Sequence, residues 1–341
     1  MTGTRDYFRP LVQVGPGRPT GAMRLAGGWG WFTHLEVLAR GRLPQVIPVS
    51  EAPGEVIDRL SAPRSDVGNN DLAQPRVMGI LNTTPDSFSD GGLHAAAKDA
   101  VRAGQEMQKL GVDIIDIGGE STRPGAATVD LDEEIQRTVP VIKGLRDAAV
   151  NTLISIDTRK AKVAEAAVAA GAGLINDVSG FTYDADLAPL AARHDLPVCV
   201  MHALGDPATM QNDPQYDDVL LDVFDFLEGQ IAKLEQIGIS RTRIIADPGI
   251  GFGKTLEHNL TLLARLGLFH SLGTPILLGA SRKRFIGTIG AAPQADSRAP
   301  GSLGVALAAL SHGIQLVRVH DVPETIQAIA LWRAAMSGRH L

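Results

Sequence analysis

The sequence predicts an α/β protein in which residues 75–341 form a (β/α)8 TIM barrel, preceded by an additional N-terminal segment at residues 1–74. Three observations support this fold. Short β-branched runs alternate with helical patterns eight times from Val77 onward. The eight pairs occupy roughly 265 residues, close to the usual length of such a barrel. Polar residues follow nearly every run, at the place where a barrel carries its active site.

The composition is that of a mildly acidic globular protein. The chain has 341 residues, a net charge of −6, 44% hydrophobic residues and a mean hydropathy of +0.05. Nucleic-acid-binding domains are usually basic, and a membrane span needs about 18 apolar residues in a row, so neither partner is expected. The single cysteine, Cys199, lies between two valines and is predicted to be a buried, inert thiol. A chain without a disulfide framework or an apolar leader fits the cytoplasm.

Residues 1–74 differ in composition from the rest of the chain. They contain Trp29 and Trp31, two of the three tryptophans, together with many glycines and prolines. A helical period is visible only at 33–39. Arg64–Gln74 is rich in Asn and Asp and is predicted to be a linker. We interpret this part as an appended segment of unknown role that packs its aromatic side chains on the barrel or on a partner subunit.

The predicted strands are short and apolar, as expected for buried parallel strands. They lie at Val77–Leu81, Ile114–Ile117, Leu153–Ile156, Leu174–Ile175, Val198–Val200, Ile244–Ala246, Ile276–Leu278 and Leu316–Val319. The clearest predicted helix runs over Tyr216–Ile237, with apolar residues on one face and Gly238 as its stop. Asp130 and Asp321 are predicted N-caps of the second and the last barrel helix.

Polar residues follow the strands throughout the predicted barrel. They are Asn82, Gly118–Arg123, Asp157, Asn176 with Asp177, His202, Asp247, Ser281–Arg284 and His320. A closed barrel would bring all of them to one mouth and so form a single site. The alternative fold is a doubly wound open sheet, which would need fewer strands and would gather its ligand at one crevice.

Three of these residues offer hydrogen-bond acceptors to a ligand. Asp157, Asn176 and Asp247 end three strands and would point into the mouth. A flat ring rich in N–H groups would use such acceptors, because a partly buried carboxylate is costly unless its oxygens are bonded. The alternative is that these residues act only as caps of the following helices or loops.

Basic residues follow the last two strands. Arg318 and His320 alternate along the eighth strand and therefore share a face, as would suit a phosphate or diphosphate. Arg282, Lys283 and Arg284 follow the seventh strand. The alternative for that triplet, and for Arg284 in particular, is a solvated basic turn.

The sixth strand is followed by three alternating glycines, at 249, 251 and 253, and then by Lys254. This run does not match either phosphate-loop pattern, because Pro248 stands where the nucleotide-binding motif needs Gly and Lys254 stands where the dinucleotide motif needs Gly. We interpret the glycines as allowing close approach beneath a flat ligand, with Phe252 as one wall.

No cluster with metal-ligand spacing is evident in the sequence. A magnesium ion bound mainly by a diphosphate would need only one or two protein oxygens. Asn82 is the candidate for that contact.

Eight motifs in order resemble the dihydropteroate synthase family, the folate-pathway enzymes that sulfonamides inhibit, over Val77 to about Met336. They are NTTPDSFSDGG (82–92), GGESTRPGA (118–126), SIDTRK (155–160), INDVSG (175–180), MHALGDPATMQ (201–211), DPGIGFGKT (247–255), SRKRFIG (281–287) and VRVHDV (317–322). One departure is the N-terminal segment, which the common form of the family lacks.

The resemblance implies that 6-hydroxymethyl-7,8-dihydropterin diphosphate is joined to 4-aminobenzoate, with release of diphosphate, by a homodimer that uses Mg²⁺. It implies a pterin pocket of Asp157, Asn176, Asp247 and Lys283, and an anion site of Asn82, Arg318 and His320. It also implies that Thr122 and Arg123 close over the anion. Phe88, Pro124 and Ser281 would form the aminobenzoate pocket.

The residues by themselves are also compatible with three other functions. A methyltransferase acting on methyltetrahydrofolate would use the same ring-binding acceptors but no diphosphate site. A Schiff-base aldolase would use Lys283, activated by its basic neighbours. A pterin binder without turnover would keep the pocket alone.

Overall fold

The computed structural model describes residues 5–83, 92–121, 128–205 and 209–339. The strands are β1 (Tyr7–Pro10), β2 (Met23–Arg24), β3 (Trp31–Phe32), β4 (His34–Leu38), β5 (Gln45–Pro48), β6 (Arg76–Asn82), β7 (Ile114–Gly118), β8 (Leu153–Asp157), β9 (Leu174–Asp177), β10 (Val198–Met201), β11 (Ile244–Asp247), β12 (Leu277–Leu278) and β13 (Leu316–Val319). The helices are α1 (Gly54–Ser61), α2 (Gly92–Leu110), α3 (Leu131–Asp147), α4 (Ala161–Ala170), α5 (Leu187–Arg193), α6 (Val219–Ile237), α7 (Leu256–Ala264), α8 (Arg284–Ile289), α9 (Ala299–Ser311) and α10 (Val322–Ser337). Within the described ranges, no helix is both long and apolar enough to cross a bilayer.

Strands β6–β13 form the predicted barrel. They are parallel and lie in the order β11-β10-β9-β8-β7-β6-β13-β12. A parallel bridge between Ala246 and Ile276 joins the two ends of this order and closes the sheet. Helices α2–α10 follow or connect the strands, so the prediction of a (β/α)8 barrel is confirmed and the open sheet is excluded.

The N-terminal segment forms a small antiparallel sheet in the order β1-β4-β5, beside the paired strands β2 and β3. Leu25, Phe32, Leu35 and Leu60 form its own apolar core. The helical period at 33–39 was therefore misleading, because His34–Leu38 is a strand. Its pairing with both β1 and β5 overrides the local pattern.

The segment is also bound to the outer wall of the barrel. The Tyr7 hydroxyl donates to Asp225 of α6 at 2.9 Å, and its ring packs edge-on against Phe224. Trp29 donates from Nε1 to the carbonyl of Leu310 at 2.8 Å, and its ring meets that of Trp332. Tyr7 and Trp29 thus pack on the barrel of the same chain, whereas Phe32 lies in the segment's own core.

The end of the predicted linker closes the floor of the barrel. Val67 and Leu72 are 1% and 0% exposed and belong to one cluster with inward-facing residues at the strand starts, among them Met78, Ile114 and Leu316. Residues 64–74 are therefore not a solvated connector along their whole length. Their apolar side chains fill the open end of the strand cylinder, which the strands alone leave uncovered.

Three predicted helix ends can be compared with the structure. Gly238 ends α6 with φ +103°, as predicted. Asp130 caps α3 through a bond that its side chain accepts from the Asp132 N–H. Asp321 precedes α10 without a side-chain cap bond, because its carboxylate is paired with Arg282.

Arg64 provides a first test of how the segment is held. Its buried guanidinium donates to the carbonyls of Arg59, Ala62 and His270 at 3.0–3.1 Å. Arg64→Met should lower the free energy of unfolding by about 2 kcal/mol, since three buried acceptors lose their donors. Denaturant unfolding with a parallel activity assay checks this. An unchanged denaturation midpoint would show that the contact contributes nothing, and an altered kcat/KM would show that its influence reaches the barrel mouth.

Candidate active site

A continuous row of polar residues lies at the carboxyl ends of strands β6–β9. In register, Asn82 pairs with Gly118, Gly118 with Asp157, and Asp157 with Asn176. Residues paired in this way on neighbouring strands face the same side, so these polar side chains stand together inside the mouth. The row is closely packed, since a Cβ at Gly118 would already be in van der Waals contact with the Cβ of Asp157 at 3.6 Å.

Arg318 of β13 crosses the mouth and joins this row. Its Nε donates to Asp116 Oδ2 at 2.6 Å, and its Nη2 donates to Asp157 Oδ2 at 2.7 Å. Asn176 donates to the same Asp116 oxygen at 3.1 Å. The acidic and basic residues that the sequence assigned to different parts of a ligand thus form one hydrogen-bonded cluster.

Asp116 is a site residue that the sequence analysis did not identify. It lies in the middle of β7, is 0% exposed, and contacts two of the predicted residues. The available signal was a carboxylate inside the apolar strand run Ile114–Ile117. Such a carboxylate must have a buried partner, because an unpaired buried charge is very costly.

The cluster controls the charge of its members. Burial raises the pKa of Asp157, and the facing guanidinium offsets part of that increase. Burial opposes the charge of Arg318, but Asp116 and Asp157 outweigh burial and raise its pKa. The second oxygens, Asp116 Oδ1 and Asp157 Oδ1, are buried without a hydrogen-bond partner within the described part of the chain. The mouth therefore holds acceptors for an N–H-bearing ligand.

Asp247 ends β11 on the neighbouring part of the rim. Its Oδ1 accepts from the Gly249 N–H at 2.7 Å, and a Cβ at Gly279 would lie 3.3 Å from its Oδ2. Burial raises the pKa of Asp247 to about 6, while the Gly249 bond and the charges of Lys283 and Arg318 lower it. The absence of a side chain at Gly279 leaves the approach to Oδ2 uncrowded.

Phe252 and Lys283 form one wall of the mouth. The Lys283 ammonium lies 3.8 Å from the centroid of the Phe252 ring, a cation–π contact. Gly251 allows this approach, since a Cβ there would lie 3.0 Å from Lys283 Cδ. An aromatic face and an adjacent N–H donor are suited to stacking and orienting a flat ring.

Ser281 and His320 lie beside each other at the end of the last two strands. Ser281 Oγ accepts from the His320 N–H at 3.2 Å and lies 3.1 Å from His320 Nδ1. The hydroxyl therefore fixes the imidazole next to the strand that carries Arg318.

A second buried network, which the sequence analysis did not identify, links Glu120 to Val129, Glu134 and Lys160. Lys160 donates to Glu120, Glu134 and the Val129 carbonyl at 2.5–2.6 Å. Glu120 also accepts from the Val129 N–H at 3.3 Å. The predicted site residues Thr122, Arg123 and Pro124, and also Phe88, lie outside the described residues.

The oxygen donors of the rim fit a magnesium ion that is held mainly by a diphosphate. Asn82 Oδ1 and Asp157 Oδ2 both flank Gly118, at 3.9 and 3.7 Å from the position of a Cβ on that glycine. No group of three or more His, Cys, Asp or Glu side chains in the described ranges could hold a metal by itself. The ion would therefore need ligand oxygens from its substrate, as hard cations commonly do.

Comparisons with known proteins agree with this geometry. The family profile described as "Pterin binding enzyme" matches residues 78–320. Dihydropteroate synthase of Escherichia coli is 46% identical over 270 residues, 79% of this chain and 94% of that enzyme. A probable bifunctional folylpolyglutamate synthase/dihydropteroate synthase of Haloferax volcanii is 43% identical over 96% of this chain and 38% of its own length. The structure of Xanthomonas albilineans dihydropteroate synthase with 7,8-dihydropteroate superposes with a TM-score of 0.72 at 41% identity, covering 80% of this chain and 98% of that one.

Proposed function

Since this chain belongs to the pterin-binding enzyme family, we propose that the rim formed by Asp157, Asn176, Asp247 and Arg318 is the substrate site of a dihydropteroate synthase. The enzyme is a transferase that condenses 6-hydroxymethyl-7,8-dihydropterin diphosphate with 4-aminobenzoate to give 7,8-dihydropteroate and diphosphate. The main observation that supports this site is that the acceptors of Asp157 and Asn176 and the guanidinium of Arg318 lie together in one barrel mouth.

The pterin ring is proposed to lie against Phe252, with its N–H groups on the oxygens of Asp157, Asn176 and Asp247. Lys283, which lies over the Phe252 ring, would donate to a ring acceptor at the edge. Asp157 Oδ1 is buried without a partner among the described residues, so a ring N–H would satisfy it. An unmet acceptor of this kind costs about 1–3 kcal/mol, which ligand binding would recover.

The leaving diphosphate is proposed to bind to Arg318, His320 and Asn82. Arg318 uses Nε and Nη2 for the two carboxylates, which leaves Nη1 to face an anion. Ser281 would hold the His320 ring toward the same anion. A magnesium ion on the diphosphate would take Asn82 Oδ1 as a ligand and would neutralise the charge of the leaving group. Thr122 and Arg123 would complete the anion site, and Phe88, Pro124 and Ser281 would line the aminobenzoate site.

The chemistry that this site supports is a dissociative substitution. The bond between the exocyclic carbon and the diphosphate oxygen breaks, and the electron pair leaves with the diphosphate. The electron-rich pterin delocalises the positive charge that develops, and the buried carboxylates of Asp116 and Asp157 stabilise it electrostatically. The neutral arylamine then forms the new C–N bond and loses its proton to solvent or diphosphate. The protein mainly positions the two reactants and excludes water.

We also propose that the enzyme is a cytoplasmic homodimer and that residues 1–74 are a structural addition to it. The single thiol, Cys199, is buried and suits a reducing compartment. The dimer is expected from the family resemblance. The packing of Val67 and Leu72 against the barrel floor supports a structural role for the segment.

Diphosphate release tests the proposed function directly. The purified protein is incubated with Mg²⁺, dihydropterin diphosphate and 4-aminobenzoate. The reaction should release one diphosphate for each molecule of 7,8-dihydropteroate, which is identified by mass spectrometry. Omitting 4-aminobenzoate should stop product formation and provides the control. Methyl transfer from methyltetrahydrofolate without diphosphate release would support the methyltransferase instead. Borohydride trapping of a keto sugar phosphate on Lys283 would support the aldolase, and pterin binding without turnover would support the silent binder.

A further inference from the structure

Lys254 lies behind the wall of the mouth that Phe252 and Lys283 form, and it has no role in the reaction described above. Its side chain is 3% exposed, and its ammonium lies among acceptors of two loops. Nζ is 2.8 Å from His202 Nδ1, 2.9 Å from the Gly249 carbonyl and 3.0 Å from the Phe252 carbonyl. The three donors of an ammonium thus match three buried acceptors.

We propose that Lys254 is a positioning residue for pterin binding, which ties the loop of residues 249–252 to the end of β10 and thereby holds Phe252 beneath Lys283. This inference rests on the proposed function, because it concerns the same wall of the mouth. The ammonium binds the carbonyl of Phe252 itself, and the ring of that residue contacts Lys283 at 3.8 Å.

The loop is shaped so that this tether is needed. Gly249, Gly251 and Gly253 have φ values of +68°, +82° and +61°, a left-handed backbone that side chains rarely adopt. A Cβ at Gly249 would lie 1.8 Å from the carbonyl oxygen of His202, so the two chain segments are in direct backbone contact there. The Gly249 carbonyl accepts a turn bond from the Phe252 N–H at 3.2 Å, and the Lys254 ammonium adds a donor both to this carbonyl and to that of Phe252.

His202 completes the tether as a neutral acceptor. Burial, together with the charge of Lys254, lowers the pKa of His202 to about 2. Its Nδ1 therefore accepts from the ammonium, which places the ring proton on Nε2. The ring is fixed further by edge-on contact with Phe226 at 4.9 Å.

Lys254 is also coupled to the ring-binding carboxylate at the start of its loop. Its charge lowers the pKa of Asp247, and Asp247 in turn raises that of Lys254, which burial brings to about 7. Lys283 after β12 and Arg318 on β13 also lower the pKa of Asp247, and Asp247 raises the pKa of the Cys199 thiol on β10. Loss of the Lys254 charge should therefore favour protonated Asp247 in the range around neutral pH.

Lys254→Met tests the inference, with Lys254→Gln as a second variant that keeps a donor but no charge. The probe is 6-hydroxymethylpterin, whose Kd is measured by calorimetry from pH 5.5 to pH 9, beside kcat and the KM for each substrate. At pH 6.5 the Met variant should raise the Kd and KM for the pterin about threefold, because a rise of about one unit in the pKa of Asp247, from about 6, lowers the ionised fraction of this carboxyl about threefold at that pH. Both kcat and the KM for the aminobenzoate substrate should change less than about twofold. The Kd ratio of variant to parent should shrink toward pH 9. At that pH Lys254 of the parent is neutral, and Asp247 is ionised in both proteins.

Arg64→Met is the matched control, since it removes another buried cation that donates to main-chain carbonyls but lies in the N-terminal segment. It should lower stability and leave the pterin Kd unchanged at every pH. Unaltered pterin binding in both Lys254 variants would overturn the inference. The inference would also be overturned if the Kd ratio did not vary with pH and kcat/KM fell equally for both substrates, because that pattern indicates a general destabilisation of the active site. If the parent enzyme does not bind 6-hydroxymethylpterin at all, the proposed function fails with it.

Discussion

Arg318→Met should reduce kcat/KM for dihydropterin diphosphate by at least about a hundredfold and should also destabilise the ligand-free protein. The guanidinium is the only described cation that donates to both Asp116 and Asp157. Removing one partner of a buried ion pair costs roughly 3–5 kcal/mol, because it leaves uncompensated buried charge. Part of that cost should appear as a lower free energy of unfolding and part as lost binding.

Two ligands separate the effects of Arg318 on the ring and on the anion. From the sequence alone, its loss would harm mainly diphosphate-bearing ligands. Because Arg318 also holds Asp157, we now expect weaker binding of 6-hydroxymethylpterin as well, with a larger loss for its diphosphate. Equal losses for the two ligands, measured by calorimetry, would contradict a direct contact with the diphosphate.

Arg76→Met supplies the control for the Arg318 variant. Arg76 lies at the opposite end of the barrel, where it donates to Asp113 at 2.8 Å. Its replacement also breaks an arginine–aspartate pair between strand ends, but far from the mouth. It should leave both ligand affinities unchanged.

Asp247→Asn should stabilise the ligand-free protein while it removes about 2–3 kcal/mol of pterin binding. The loss of binding follows because a charged acceptor of ring N–H groups becomes a neutral amide with only one acceptor oxygen. The gain in stability follows from burial of the carboxylate, whose pKa rises from 3.8 to about 6 in the folded protein. An amide of similar size carries no ionisation cost.

The buried carboxyl of Asp247 makes the protein less stable as pH rises. Below about pH 4 the carboxyl is protonated in both states, and its contribution to stability is fully present. Between pH 4 and pH 6 the unfolded chain loses the proton first, so stability falls as pH rises through the folded pKa. Above pH 6 the full cost remains, about 3 kcal/mol at 1.36 kcal/mol for each pKa unit.

Denaturant unfolding at pH 4 and pH 8 measures this effect. Asp247→Asn should match the parent at pH 4 and exceed its unfolding free energy by about 2–3 kcal/mol at pH 8. Asp177→Asn is a useful comparison, because burial raises the pKa of that carboxyl to about 6 while its oxygens accept bonds from Ser179 and Phe181. The assigned cost of burying the Asp247 carboxylate would be refuted if the parent protein were as stable at pH 8 as at pH 4 and Asp247→Asn did not change its unfolding free energy at either pH.

The barrel could be predicted because its signals are local. Each strand is a short apolar run, and each run ends in polar residues such as Asn82 or Asp157. The parallel topology then determines that these ends meet. Asp116 could not be assigned in the same way, since its partners lie on β9 and β13, far away in sequence. Contacts between distant strands leave no periodic pattern.

The structure of the N-terminal segment also depends on contacts between residues that are distant in the sequence, so local patterns predicted it less well than the barrel. Leu35 and Val37 lie on a strand because β1 and β5 flank them, although their spacing suggested a helix. Lys254 was visible in the sequence, but its acceptors include main-chain carbonyls of a left-handed loop. Main-chain acceptors carry no residue-type signal, so the contacts of that lysine emerge only from the folded structure.

The closure of the barrel floor by Val67 and Leu72 has a consequence for how the protein comes apart. Detaching the N-terminal segment would admit water to Met78, Ile114 and the other side chains of that layer. Partial opening is therefore penalised by the hydration of the barrel interior itself. We expect the two parts to melt together as a single cooperative unit, and amide protons of the segment to exchange as slowly as those of the strands that they cover.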